Sequence, residues 1–245
     1  MHNYRLQVSY DGSRYKGWQR LGQGESTVQG KIENVLAERL GKSVEVVGSG
    51  RTDAGVHALG QVANFKSEES LDCGELKTYL NRYLPDDIAV VSVEKAEEEF
   101  HARFHAKEKT YLYRIWNEEH PNPFLRKYTL HVEKKLDVAR MKKAAKAFVG
   151  EHDFTAFANA RSKSRTMVRN VYHVEFTEGK GLVEIRVRGD GFLHNMVRKM
   201  VGTLIEVGLG RMEPEEVPEI LASLDRERSG PIAEACGLTL EKVGF

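Results

Sequence analysis

Near the start of this chain, apolar side chains are spaced first as in a strand and then as in a helix, and this change recurs several times. The order of the predicted strands and helices is compatible with few folds. Residues 4–10 alternate between apolar and polar side chains, which predicts a strand with one buried face. Thr27 is suited to cap a helix, and apolar residues at helical spacing follow it as far as Leu40. Alternation returns over residues 44–48 and 61–66, which predicts two more strands.

The same switching continues to about residue 93. Residues 74–83 carry apolar side chains at helical spacing, and Pro85 ends the predicted helix. Residues 88–93 alternate as a further strand. The resulting order, β-α-β-β-α-β over the first hundred residues, is the signature of a ferredoxin-like sandwich.

The second half of the chain predicts helices laid on antiparallel strands, a loose repeat of the first half. Residues 110–116 are strongly β-prone, and residues 171–177 and 182–188 predict a hairpin. Asp137 caps another predicted helix, and a long helix over residues 192–209 is apolar on most of its faces, as a buried helix is. A chain of 245 residues fits one large or two modest domains.

The composition is that of an ordinary globular protein, with 40% hydrophobic residues, 30% charged residues and a net charge of +1. This balance does not indicate a polyanionic partner, but local basic patches remain compatible with nucleic acid. Cys73 and Cys236 lie outside any CxxC pattern, which favours a reducing compartment over a disulfide framework. The N-terminus lacks a signal-peptide core, and charges interrupt residues 192–209, so we expect a soluble cytoplasmic protein.

The stretch best suited to carry chemistry is a glycine-rich loop between two predicted strands, residues 48–58. Three glycines in eight residues allow a tight turn, which contains Arg51, Thr52 and Asp53 in a row. Two interpretations stand: Thr52 and Asp53 cap a short turn, or Asp53 is a reactive carboxylate held by flanking strands. His57, four residues after Asp53, could form a local hydrogen bond with it or a catalytic dyad.

Other reactive motifs are missing from the sequence. It has no Gly-Lys-Ser/Thr phosphate loop, HExxH or Gly-x-Ser-x-Gly, and its nine scattered histidines give no metal-ligand spacing, so we expect no metal. An aspartate acts as a nucleophile or base only when ionised, which a nearby guanidinium favours. Arg51 is close in sequence, and Arg198 on its apolar helix needs an anionic partner. Tyr111 lies in an aromatic strand that offers a flat face for a base, although most strand tyrosines belong to the core.

Two loops are rich in cations that suit an RNA backbone. In residues 11–23 the cations alternate with Tyr15 and Trp18, which suits phosphates and stacked bases unless Trp18 turns into the core. Residues 159–170 suit counter-ion release on RNA binding, but a solvated face has the same composition. The candidate backbone contacts are Arg14, Lys16 and Arg20 in the first loop and Arg161, Lys163, Arg165 and Arg169 in the second.

Several motifs, in order along essentially the whole chain, resemble those of the tRNA pseudouridine synthase A (TruA) family. The family's active-site motif is matched by Gly50-Arg51-Thr52-Asp53-Ala54-Gly55-Val56-His57-Ala58. The other matching motifs are Tyr10-Asp11-Gly12, Tyr15-Lys16-Gly17-Trp18-Gln19, Phe100-His101-Ala102-Arg103, Lys109-Thr110-Tyr111-Leu112-Tyr113-Arg114, Gly150-Glu151-His152-Asp153-Phe154, Phe192-Leu193-His194-Asn195-Met196-Val197-Arg198 and Val201-Gly202.

The resemblance implies an α/β (α+β) fold of two ferredoxin-like domains, residues 1–104 and 105–245. Their antiparallel sheets would join into one central sheet with helices packed on one side and a basic cleft between the domains. Family members work as homodimers without metal or organic cofactor. We therefore expect no cofactor, and tRNA and a second copy of the chain as partners.

The resemblance also implies the reaction and the roles of four residues. The enzyme would isomerise uridine to pseudouridine at tRNA positions 38, 39 and 40, in the anticodon stem-loop, with Asp53 as the catalytic nucleophile. Arg198 would pair with Asp53, Tyr111 would stack on the target base, and Arg51 would help to hold the flipped nucleotide. The sequence leaves open whether Asp53 attacks the ribose, attacks the base or removes a ribose proton.

Two other classes of protein remain as alternatives. A non-catalytic RNA-binding module would be expected to carry an RNP1-like aromatic strand, and the sequence has no clean match to one. A nucleoside or glycoside hydrolase that uses Asp53 would need a second carboxylate or an activated water, and it would release free uracil.

Overall fold

The computed structural model describes residues 1–22, 26–160 and 164–245. Within these residues the strands are β1 (His2–Tyr10), β2 (Val47–Gly48), β3 (His57–Ser67), β4 (Ile88–Ala96), β5 (Glu108–Trp116), β6 (Leu130–His131), β7 (Gly150–Asp153), β8 (Val168–Gly179), β9 (Leu182–Gly189) and β10 (Leu238–Gly244). The α-helices are α1 (Val28–Leu40), α2 (Cys73–Tyr83), α3 (Val138–Ala145), α4 (Met196–Gly208) and α5 (Glu216–Ser223).

The chain divides into two compact units. The first unit consists of Met1–Lys107 together with Thr239–Phe245, and the second of Glu108–Leu238. Both contain β-strands and α-helices, so the mixed α/β class expected from the sequence is confirmed.

The first unit is built on β1 and β3, which pair antiparallel from His2 with Ser67 to Tyr10 with Ala58. β4 pairs antiparallel with the other edge of β1. β10 runs parallel to β3 at its start, and β2 pairs with β3 further along. The strand order β4-β1-β3 with α1 and α2 between strands follows the predicted β-α-β-β-α-β order.

Two strand boundaries in this unit differ from the sequence-based prediction. β2 has only two residues, although residues 44–48 alternate, and β3 begins at His57 rather than at residue 61. The longer β3 is buried on both faces for most of its length, so its first residues do not show the alternation that marks a half-covered strand.

The helix caps of the first unit agree with the sequence-based prediction. The Thr27 side chain accepts a hydrogen bond from the backbone N–H of Gly30, which satisfies one of the free donors at the start of α1. Gly41 follows the helix with a φ of +67°, the left-handed conformation that ends many helices.

The second unit has the strand order β5-β9-β8-β7, with antiparallel neighbours throughout. β6 pairs parallel with β5. An aromatic cluster of Phe148, Phe154 and Phe157 is fully buried, with Phe148 and Phe157 edge to face at 5.0 Å between ring centroids. This cluster forms part of the hydrophobic core of the unit.

α4 is largely buried, as its apolar faces predict. The predicted start at residue 192 is wrong, because Asn195 adopts a left-handed conformation with φ +63° and the helix begins only at Met196. His194 therefore precedes the helix, whereas Arg198 lies in its first turn. No helix in the described ranges is long and apolar enough to cross a membrane.

The acidic residues around α5, for which the sequence suggested no function, pair with cations of α3. Arg140 donates to the Glu213 carboxylate over 2.8 Å, and Lys143 forms an ion pair with Glu215. Exposed pairs of this kind contribute at most about 1 kcal/mol each. They link α3 to the segment before α5.

Truncation of the aromatic cluster should be costly. Phe154→Ala should lower the free energy of unfolding by about 3 to 5 kcal/mol, because it removes a fully buried ring and leaves a cavity. Phe124→Ala is the matched control, since that ring is 89% exposed, and should change stability by less than about 0.5 kcal/mol. Urea unfolding of both variants checks the prediction, which equal losses would contradict.

Candidate active site

The glycine-rich loop lies between β2 and β3 of the first unit, where it presents Asp53. Asp53 opens a turn in which the Val56 backbone N–H donates to the Asp53 carbonyl oxygen over 3.1 Å. Gly55 completes this turn with a φ of +78°. Asp53 is half-buried and Arg51 is exposed. One short loop therefore places a shielded carboxylate beside a solvent-facing guanidinium.

A second loop, residues 11–18, supports the turn from beneath through backbone hydrogen bonds. The Trp18 N–H donates to the Thr52 carbonyl over 3.1 Å, and the Gly55 N–H donates to the Tyr15 carbonyl over 3.4 Å. Gly17 permits this approach, since its φ is +95° and a Cβ there would lie 2.4 Å from the Thr52 carbonyl oxygen. Both sides of Asp53 are thus attached to the same neighbouring loop.

Tyr15 and Trp18 are buried in this support, so they do not form the stacking surface that was one interpretation of the sequence. Trp18 is only 2% exposed, and its ring lies 6.0 Å from that of Tyr10. The Tyr15 hydroxyl donates to the Asp87 carboxylate over 2.5 Å. Burial is the main cause that raises the pKa of Tyr15 above its usual range, so this hydroxyl stays protonated.

The three cations of this loop are exposed, but two of them have acidic partners. Arg14 donates to Asp87 through Nε and Nη2, at 2.8 and 2.6 Å. Arg20 lies 3.2 Å from Glu33. Lys16 is exposed. The interleaved pattern therefore combines buried structural aromatics with cations at the surface.

Polar side chains from β1 and β3 hold the residues that precede Asp53. The Gln61 amide donates to the Gly50 carbonyl over 2.9 Å and accepts from the Ser49 hydroxyl over 2.7 Å. The Tyr10 hydroxyl lies 2.8 Å from the Thr52 hydroxyl. Burial raises the pKa of Tyr10 above its usual range, against hydrogen bonds with Thr52 and Gln61 that lower it.

His57 has a structural position at the start of β3. It is 3% exposed, and its Nδ1 accepts the Gly12 N–H over 3.0 Å. An Asp11 carboxylate oxygen lies 3.2 Å from the same nitrogen. An Nδ1 that accepts the Gly12 N–H carries no proton of its own. His57 therefore ties β3 to the supporting loop.

Tyr111 belongs to the second unit, on β5 opposite Val187 of β9. Its ring is 8% exposed and packs edge to face against Phe192, with 5.4 Å between centroids and 86° between planes. Phe192 lies in the segment that leads into α4. The ring therefore has a defined orientation within its unit.

Arg198 lies in the first turn of α4 and is bound to the segment at residues 230–234. Its Nε donates to the Ala233 carbonyl over 2.7 Å, and the Ala233 N–H donates to the Arg198 carbonyl over 3.1 Å. Nη1 donates to the Asn195 side chain over 3.3 Å. The next carbonyl of the segment, at Glu234, accepts the Tyr113 hydroxyl over 2.8 Å. These bonds fix the base of the guanidinium.

The second basic loop is described only in part, because Arg161 and Lys163 lie outside the described residues. Arg165 is exposed. Arg169 is half-buried and donates to the Ser164 hydroxyl over 2.7 Å and to the Thr166 carbonyl over 3.0 Å. Desolvation is the main cause that lowers the pKa of Arg169. This cation is engaged with its own loop.

Three supporting residues of the site were not singled out from the sequence: Gln61, Tyr10 and Asp87. Gln61 gave one weak signal, since it is a polar residue beside Val62 and Ala63 in a predicted strand, and buried amides are normally hydrogen-bonded. Tyr10 ends a strand as many core tyrosines do. Asp87 follows Pro85 and Asp86 in what looks like an ordinary turn. Their partners lie far away in sequence, so spacing alone could not reveal them.

Comparisons with known proteins show which family the chain resembles. A family model described as tRNA pseudouridine synthase matches residues 7–105 and 144–245. A Bacillus cereus protein named tRNA pseudouridine synthase A 2 is 60% identical over 245 residues, all of both chains. Proteins named tRNA pseudouridine synthase A from Bacillus sp. strain KSM-64 and Acetivibrio thermocellus are 60% and 44% identical, again over the full length of both chains.

Among solved structures, the archaeal box H/ACA sRNP Nop10-Cbf5 complex aligns with a TM-score of 0.40 and 14% identity, over 82% of this chain and 43% of that one. This likeness is too weak to inform the function.

The family match spans most of the chain, and several relatives match it from end to end, which defines an RNA-modifying isomerase. The chain belongs to the tRNA pseudouridine synthase family.

The close approach of α4 to residues 230–234 generates a stability prediction. A Cβ at Gly202 would lie 1.7 Å from the Pro231 carbonyl oxygen, so Gly202→Ala should lower the free energy of unfolding by about 1 to 3 kcal/mol. Alanine is otherwise the better helix former by about 1 kcal/mol, so a gain in stability would contradict the prediction. Gly208→Ala in the same helix is the control, because its new methyl meets the flexible end of Met141 and should cost less. Urea unfolding measures both.

Proposed function

We propose that this protein isomerises uridine to pseudouridine at positions 38, 39 and 40 of the tRNA anticodon stem-loop, with Asp53 as the nucleophile. The observation that carries the proposal is the 60% identity, over all 245 residues, to a relative named tRNA pseudouridine synthase A 2. The choice of positions and the role of Asp53 rest on the resemblance of the motif at residues 50–58 to that of the TruA family.

The chemistry needs a positioned carboxylate and no external reagent. The bond between uracil N1 and ribose C1′ breaks, a bond between uracil C5 and C1′ forms, and the proton lost from C5 is balanced by one gained at N1. Substrate and product are isomers, so the exchange consumes no oxidant, reductant or energy carrier. The Asp53 carboxylate starts the exchange as the nucleophile.

The supported loop favours this role for Asp53. Gly50 and Thr52 before it, and the turn after it, are held by hydrogen bonds to residues 10–18 and 61. A nucleophile that is held in place loses little conformational freedom on reaching the reacting geometry, and the entropic part of the barrier falls accordingly. Half-burial reduces competition from water for the carboxylate.

The target uridine must leave the helical stack before it can react, at a cost of a few kcal/mol. Tyr111 is proposed to stack on the extruded base, Arg51 to hold the flipped nucleotide and Arg198 to keep Asp53 ionised. Within the described residues the exposed Arg51 side chain has no ion-pair partner, which leaves it available for a phosphate. The tRNA backbone is proposed to be contacted by the cations Arg14, Lys16, Arg20, Arg161, Lys163, Arg165 and Arg169.

The assembly and location are part of the same proposal. The protein is proposed to act as a homodimer in the cytoplasm, so that one tRNA touches both subunits. Its two cysteines, Cys73 and Cys236, are unbridged, which suits a reducing compartment.

Replacement of the proposed nucleophile tests the reaction. Asp53→Asn should reduce pseudouridine formation by about 10³-fold or more, because the amide cannot act as a nucleophile, while tRNA binding changes little. The purified protein is incubated with tRNA, and the digest is analysed for pseudouridine and free uracil. Full activity of Asp53→Asn would overturn the role of Asp53, and release of uracil by the wild-type protein would indicate a hydrolase.

Two substitutions of Tyr111 separate its ring from its hydroxyl. Tyr111→Ala should slow turnover by about 5- to 150-fold, because base stacking contributes about 1 to 3 kcal/mol. Tyr111→Phe keeps the ring and should lose much less. Single-turnover rates on tRNA measure both variants. An equal loss would show that the hydroxyl, and not stacking, is what matters.

A further inference from the structure

The Gln61 side chain bonds to two consecutive residues of the segment leading to Asp53, Ser49 and Gly50. We propose that Gln61 is a positioning residue, whose amide sets the orientation of Asp53 through Ser49 and Gly50. This inference rests on the proposed function, because it takes Asp53 as the reacting group.

The contacts of Gln61 form a two-sided clamp. Its Nε2 donates to the Gly50 carbonyl over 2.9 Å, and its Oε1 accepts from the Ser49 hydroxyl over 2.7 Å. The Ser49 backbone N–H donates to the Val62 carbonyl over 2.7 Å, so the same residue is also held by the strand. The path of the chain into the turn is therefore fixed at Ser49 and Gly50, four and three residues before Asp53.

A second bond continues the clamp towards Asp53. The Tyr10 hydroxyl lies 2.8 Å from the Thr52 hydroxyl. Thr52 immediately precedes Asp53. Residues 49, 50 and 52 are thus held by side chains from the underlying sheet, while the side chain of Arg51 between them faces solvent.

The chemistry of the clamp requires a long amide. The position needs a donor and an acceptor about the same distance from the backbone, which glutamine supplies and a carboxylate does not. Gln61 is 0% exposed, and an unpaired buried amide would be costly, so its bonds to the loop are maintained. A methionine of similar length would fill the space but could form neither hydrogen bond.

The supporting loop at residues 11–18 holds the far side of the turn independently. Its contacts with Thr52 and Gly55 are between backbone groups and do not involve Gln61. Loss of the amide should therefore leave the turn folded while Ser49 and Gly50 lose the side-chain bonds that set the path of the chain into it. A nucleophile displaced by about 1 Å costs up to about 10²-fold in rate, with little effect on substrate binding.

The experiment compares Gln61→Met with a matched variant of the same strand. Asn64 is also a buried amide of β3, but it accepts from Ala102 over 2.8 Å and donates to Asn3 over 3.1 Å, away from the loop. Gln61→Met should reduce the single-turnover rate by about 10- to 100-fold, with the Kd for tRNA within about twofold of wild type. Asn64→Leu should lower the Tm at least as much and keep the rate within about threefold.

Gln61→Glu gives a readout that a purely structural role would not produce. The neutral acid has one donor and one acceptor and restores both bonds, whereas the carboxylate cannot donate to Gly50. Burial raises the pKa of a carboxyl group, so the rate relative to wild type should recover as the pH falls. Tyr10→Phe, which removes the hydroxyl beside Thr52 and leaves the bonds of Gln61 to Ser49 and Gly50 in place, provides an independent variant and should also slow the reaction about tenfold if the clamp sets Asp53.

The outcomes separate the two proposals. Full activity of Asp53→Asn overturns the proposed role of Asp53. An inactive Asp53→Asn together with a folded Gln61→Met at the wild-type rate overturns only the positioning role. That role is also overturned if the rates of Gln61→Met and Asn64→Leu fall together with their Tm, or if the relative rate of Gln61→Glu is independent of pH. If Gln61→Met does not fold, a wild-type rate for Tyr10→Phe overturns the clamp.

Discussion

Hydrogen bonds between two loops and the sheet below them are the constraint on which the rest of the candidate site depends. A loop that carries a carboxylate would ordinarily sample many conformations, and each ordered residue costs about 1 to 2 kcal/mol of backbone entropy. Here that cost is offset by backbone bonds from residues 15 and 18 and by side chains from β1 and β3. The carboxylate is placed by hydrogen bonds within the protein itself.

In the second unit, too, hydrogen bonds hold a candidate catalytic side chain in place. Arg198 is held by reciprocal bonds with Ala233, and Tyr113 binds the next carbonyl, so a short irregular segment anchors the start of a buried helix. Burial raises the pKa of Tyr113 above its usual range, and the charge of Arg198 opposes this. In each unit, buried tyrosine hydroxyls support the charged side chain assigned to catalysis by the family resemblance.

Local patterns predicted much of the fold but not its loops. The caps of α1 and the order of elements in the first unit follow from the positions of Thr27, Gly41 and the apolar periods. The start of α4 was misplaced because a left-handed Asn195 leaves no mark on the apolar pattern. The loop with Trp18 permitted opposite interpretations, since its composition does not show whether the indole ring faces solvent or packs in the core. The glycines revealed the loop of Asp53. The bonds of Gln61, in contrast, depend on how the strand lies beside residues 49 and 50 in the folded chain, which the spacing of residue types in the sequence cannot show.

The pairing of β10 with the start of β3 has a consequence for biosynthesis. Thr239 and Leu240 lie beside His57 and Ala58, at the point where the loop of Asp53 enters the sheet. The whole second unit, Glu108–Leu238, is synthesised between β3 and these residues, so this edge of β3 stays uncovered until the second unit has been made. An open strand edge is prone to pairing with the wrong partner. Completion of the first unit, and of the framework beneath its candidate nucleophile, therefore awaits the synthesis of residues 239–245.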